Sequence, residues 1–77
     1  MNNKEKLLTI INQVLEGKGS VALKSIKPTD KLREDIGLDS FDLAELTVRI
    51  EEVFDVDVFE DGIVEIISEI SNKIDGK

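Results

Sequence analysis

The chain contains no cysteine and no histidine. Without thiols it forms neither disulfides nor thiolate metal sites. Without imidazole it lacks the usual general base and the commonest metal ligand. A Ser-His-Asp triad and a cysteine nucleophile are therefore both excluded. Tryptophan and tyrosine are absent as well, so a core has to be packed from Leu, Ile and Val, with Phe54 and then Phe59 as aromatic candidates. The beginning, MNNKEKLL, lacks the apolar run of a secretory signal. No segment approaches the ~20 apolar residues of a membrane-spanning helix. A soluble cytoplasmic protein without stable membrane insertion is the expectation.

What remains is short, aliphatic and acidic. At 77 residues the chain is near the lower limit for folding without staples and reads as one domain, residues 1–77, a free-standing monomer that begins at Met1 and ends in a polar DGK. The net charge of −7 is unevenly spread. Residues 1–38 carry seven basic and five acidic side chains, whereas residues 39–61 carry nine acids against Arg49 alone. Such a surface repels nucleic-acid backbones, so no nucleic-acid partner is expected. A charge run is ordinarily a solvated face. Concentrated here, it suits electrostatic steering of basic protein surfaces.

Apolar spacing predicts a first helix over 3–16, with Leu7, Leu8, Ile11, Val14 and Leu15 on one stripe and Gly17 and Gly19 ending it. A long connection, 17–39, follows. Leu23, Ile26, Leu32 and Leu38 would tie it to the core. A short turn capped by Thr29 or Asp30 would carry Leu32 and Ile36, with Gly37 as a left-handed cap. The second helix opens at Asp39–Ser40 and runs to about Phe54. FDVDVF alternates like a strand but has no partner strand, so it reads as a loop. A short turn, IVE, then leads to a last helix at about 66–74, with Ile66 or Ile67, Ile70 and Ile74 inward. The fold class is all-α, a small bundle of three to four helices with a long loop between helices 1 and 2.

The second helix has two apolar faces. At about 100° per residue, Leu43, Leu46, Ile50, Val53 and Phe54 fall in one arc, the core stripe. Phe41, Ala44, Glu45, Val48 and Glu52 fall opposite, with Glu51 at their edge. Three aligned apolar residues edged by acids suggest a contact strip, unless the 17–39 loop folds back over Phe41. At the helix start, Asp39 serves as N-cap with Asp42 at N3. Ser40 then falls in the first turn with its hydroxyl outward, open to modification. A phosphate ester there would lie beside free amides at the positive end of the helix.

The stretch GLDSFDLAEL, residues 37–46, resembles the acyl carrier proteins and related thiolation domains, whose hallmark is a Gly-x-Asp-Ser-Leu-like motif opening the second helix. The likeness extends upstream through LREDIGLDS and downstream through IEEVFDVDV, and covers nearly the whole chain. Phe41 stands where leucine is usual, Val53 replaces a common acid, and Arg49 interrupts the acidic face. The stretch DVDVFEDGIVEIISEI is shorter than in typical fatty-acid carriers, so shelter of an acyl chain within the bundle is not implied.

The resemblance implies that a phosphopantetheinyl transferase moves 4′-phosphopantetheine from coenzyme A onto Ser40, with Asp39 as the motif acid and helix cap. The arm then supplies the missing thiol and carries an acyl group as a thioester between enzymes of a dissociated lipid or specialised-metabolite pathway. The protein would itself be no enzyme. Phe41, Asp42, Ala44, Glu45, Val48, Glu51 and Glu52 would meet acyl- or aminoacyl-loading and acyl-consuming enzymes through their basic surfaces. Two other readings remain: an aminoacyl, peptidyl or cell-envelope-polymer carrier, and an unmodified acidic interaction module. A serine hydrolase has neither a Gly-x-Ser-x-Gly elbow nor a suitably spaced lysine. DVDVFEDGIVEI fails as a calcium loop because Phe59 and Glu60 occupy the third-ligand and glycine positions, and no metal is expected.

Overall fold

A computed structural model describes residues 2–59, 62 and 64–76. Among these, three helices and no strand are formed: α1 (Asn3–Gly17), α2 (Ser40–Phe54) and α3 (Ile67–Asp75). The all-α bundle with a long first loop is as the periodicity predicts. The helix α1 starts where the Asn2 side chain accepts the Glu5 N–H at 2.8 Å. It ends on Gly19, whose φ of +81° lets Ser20 N–H reach back to Leu15 O and Gly19 N–H to Glu16 O, a Schellman closure. The helix α2 ends without glycine, Asp55 taking the left-handed conformation at φ 58°.

Leu7, Ile11, Val14 and Leu15 are buried as predicted, and so is Ile10. Leu8 is only half-buried. In α2, Leu43, Leu46 and Ile50 form the core stripe, but Val53 is 54% exposed. It lies about 60° around the helix from Ile50, at the margin of that stripe. Phe54 and Phe59 are half-buried against the core. In α3, Ile67, Ile70 and Ile74 point inward and Ile66 is the half-buried N-cap.

The first loop is ordered by its own chemistry. The Asn12 side chain satisfies both backbone groups of Leu23, at 2.7 and 2.9 Å. Ile26, Leu32, Ile36 and Leu38 are buried. The expected capped turn is differently built. Asp30 accepts the N–H of Lys27, which precedes it, while Asp35 accepts the Lys31 N–H, giving a succession of turns rather than a helix. Gly37 does take a positive φ, +91°. Beyond α2, residues 55–59 form a loop, as predicted. Of the expected IVE turn, Ile63 lies outside the described residues, and Val64 plugs the core alongside Val58.

The loop also builds the start of α3, which has no side-chain cap. Backbone carbonyls of Asp30 and Pro28 accept the N–H groups of Ile67 and Ser68, and Lys31 bridges Ile66 in antiparallel fashion. These carbonyls satisfy amides that would otherwise be orphaned. The helix α1 packs against both α2 and α3, whereas α2 and α3 barely meet. Loop residues join them instead. No described helix is long and apolar enough to cross a membrane.

Candidate functional site

The site is built around the first turn of α2. Asp39 has extended backbone geometry and its carboxylate accepts the Asp42 N–H at 2.9 Å, while the Asp42 carboxylate accepts the Asp39 N–H at 3.0 Å. This reciprocal capping box satisfies two amides at the helix mouth. The cap is thus where the spacing placed it.

Asp42, however, is turned inward. It is the one charged residue among the described residues that the fold buries. Its carboxylate also accepts Lys18 Nζ at 2.5 Å, and the same ammonium donates to Gly37 O at 3.1 Å. Lys18, at the C-terminal cap of α1, thereby clamps the mouth of α2 and the glycine before it. The Lys18 hydrogen bond, and next the Asp39 N–H, hold the Asp42 carboxyl below its ordinary range. The same contact with Asp42 raises the Lys18 ammonium. Asp42 was expected on the partner-facing side. A carboxylate already occupied by two internal donors is instead part of the helix foundation.

With both aspartates engaged, Ser40 stands exposed at the first helical position. Its Oγ is not wholly solvated, as the sequence suggested, but accepts a 2.7 Å hydrogen bond from Arg33 Nη2. Arg33 itself forms no ion pair among the described residues. Beside it lies an open recess of about 230 Å³ lined by Arg33, Ser40, Leu43, Ala44 and Phe59. A second recess of about 390 Å³ shares Arg33 and Leu43 and continues to Leu32 and Val64. Lys18 is held protonated by Asp42, so it is no base for Ser40, and Asp39 is spent on capping. The hydroxyl is presented but not activated.

The outer face of α2 is uncovered. Phe41 is 88% exposed, Val48 is 54% exposed, and Ala44 is exposed between them. The long loop does not fold over Phe41. Glu45 pairs with Arg49 at 2.9 Å, and Arg49 also donates to Gln13 of α1. Glu51 and Glu52 are exposed and pair with no cation among the described residues. Two contributors escaped the sequence reading: Lys18, 24 residues from its partner, and Arg33, 7 residues before Ser40. Arg33 had one available signal, a lone arginine directly before two acids in LREDIG.

The profile of the family described as "Phosphopantetheine attachment site" matches residues 5–72. The acyl carrier protein of Campylobacter fetus subsp. fetus (strain 82-40) is 39% identical over 59 residues, covering 74% of this chain and 77% of that protein. The acyl carrier protein of Desulforapulum autotrophicum (strain ATCC 43914 / DSM 3382 / VKM B-1955 / HRM2) is 34% identical over 68 residues, covering 88% and 84%. The chain belongs to the acyl carrier protein family. No solved structure matches it significantly.

As an acyl carrier protein it is a carrier rather than an enzyme, and the family's attachment site implies covalent 4′-phosphopantetheine. Membership likewise implies dealings with a phosphopantetheinyl transferase and with acyl-handling enzymes. The residues fit that arm. An exposed hydroxyl stands at the positive end of a 15-residue helix, a cation lies within bonding distance, and an open recess leads away.

Proposed function

We propose that Ser40 bears the 4′-phosphopantetheine and that this acyl carrier protein shuttles acyl intermediates as thioesters among the enzymes of a lipid or specialised-metabolite pathway. The proposal extends to residues 1–77 acting as one monomeric carrier domain in the cytoplasm. The observation that carries it is the division of labour at the helix mouth. Asp39 and Asp42 take all the capping, so the neighbouring hydroxyl is left outward and accessible. The arm contributes the thiol that this cysteine-free chain cannot.

On this reading Phe41, Ala44 and Val48 are the apolar strip on which partner enzymes dock. Glu45, Glu51 and Glu52 draw in their basic surfaces. Asp42 is not part of that surface. Exposed charges of this kind give brief, salt-sensitive encounters, which suits a carrier that must release each enzyme in turn.

The test is intact mass after incubation with coenzyme A and a broad-specificity transferase. The wild-type chain should gain one phosphopantetheine, and Ser40→Ala, still helical by circular dichroism, should gain none. An addition that survives Ser40→Ala overturns the assignment.

A further inference from the structure

Arg33 is followed directly by two acids, Glu34 and Asp35, yet it pairs with neither among the described residues. Both acids turn to Lys31 instead: Glu34 pairs with its ammonium at 3.1 Å, and Asp35 accepts its backbone N–H at 2.8 Å. The guanidinium is thereby left over, and it spends its Nη2 on Ser40 Oγ at 2.7 Å. Guanidinium has no acceptor atom, so Ser40 Oγ is the acceptor in this contact and its own proton is not engaged by Arg33.

The electrostatic surroundings make this cation consequential. A phosphodiester on Ser40 adds a negative charge beside Asp39 and Asp42, within the stretch 39–61 that holds nine acids and Arg49 alone. Asp42 is answered by Lys18, and Arg49 by Glu45. The amides of the first turn are partly consumed by the capping box. Arg33 is the cation already within bonding distance of the oxygen that becomes the ester, and its planar fork matches two phosphate oxygens at once. It also lines the recess that Ser40 borders, together with Ala44 and Phe59, and the neighbouring recess toward Leu32 and Val64.

We infer that Arg33 is the positioning residue for the arm: it holds the phosphodiester on Ser40 against the acidic field of α2 and sets the arm's departure across the Ala44–Phe59 recess. This rests on Ser40 as the attachment point, and the experiment separates the two. Wild type, Arg33→Gln and Arg33→Lys are each loaded with coenzyme A and a transferase, and loading is established by intact mass. Failure of wild type to load counts against the attachment reading. Loaded proteins are then compared by ³¹P nuclear magnetic resonance with a short peptide carrying the same diester.

The wild-type phosphorus resonance should be displaced from that of the peptide, and the displacement should shrink with added salt. In Arg33→Gln the displacement should be lost, and in Arg33→Lys partly restored, with helical content unchanged in all three. A phosphorus signal identical in wild type and Arg33→Gln overturns the inference, even though loading succeeds.

Discussion

Truncating Phe41 to alanine separates the two faces of α2, and its effect can be set against Leu46→Ala one turn on. Phe41 is 88% exposed and Leu46 is fully buried. Removing an exposed side chain ordinarily changes stability by no more than about 0.5 kcal/mol, which moves the midpoint of a domain this size by about 2–4 °C. Leu46→Ala leaves a hole in the core and costs about 2–5 kcal/mol. That is a large share of the roughly 4–12 kcal/mol such a chain has in total.

Binding reverses the order. If a partner covers Phe41, burial of its ring contributes about 1.5–3 kcal/mol, equivalent to an about ten- to hundredfold loss in kcat/KM on truncation. The assay is steady-state arm loading by a transferase, with thermal unfolding by circular dichroism alongside. Phe41→Ala should lose loading efficiency at almost unchanged Tm. Glu52→Lys should slow loading more than Glu45→Lys, because Arg49 already answers Glu45. The docking reasoning is refuted if Phe41→Ala loads within twofold of wild type, or if it lowers Tm as far as Leu46→Ala does.

Asp42 gives a pH test. Its carboxyl is held below the ordinary 3.8 by Lys18 and the Asp39 N–H, so the unfolded chain binds the proton first and the stabilisation is present above that value. It is lost as pH falls through the lowered folded value. Thermal unfolding between pH 5 and pH 2 should show wild type losing more than Asp42→Asn, the two curves converging at the acid end. At Gly37, φ is +91° and a methyl group would meet nothing within 4 Å. Gly37→Ala should therefore cost only the backbone strain, about 1–2 kcal/mol, read as a Tm drop of roughly 4–16 °C.

The parts legible in the sequence were those governed by local rules. The cap at Asp39, the outward position of Ser40 and the two faces of α2 follow from helical spacing within a few residues. Gly37 announced its positive φ in the same local way. Contacts between distant segments were not legible. Asp42 looks like any first-turn acid until Lys18, from the end of α1, is brought against it. Arg33 looks like loop solvation until the turns at 31–36 swing it onto Ser40. Val53 failed for a different reason: the wheel groups it with the core arc, but it lies about 60° from Ile50 at the margin of that stripe, where it stays 54% exposed.

The clamp at the mouth of α2 bears on what loading does to stability. The side-chain hydrogen bonds that close this end of the helix are made by Asp39, Asp42 and Lys18, the last also reaching Gly37 O, and Ser40 contributes one surface hydrogen bond. Chemistry at the serine oxygen therefore leaves the fastening intact. With Ser40 as the attachment point, bare and armed forms should unfold at nearly the same temperature, a comparison that thermal circular dichroism before and after loading checks directly.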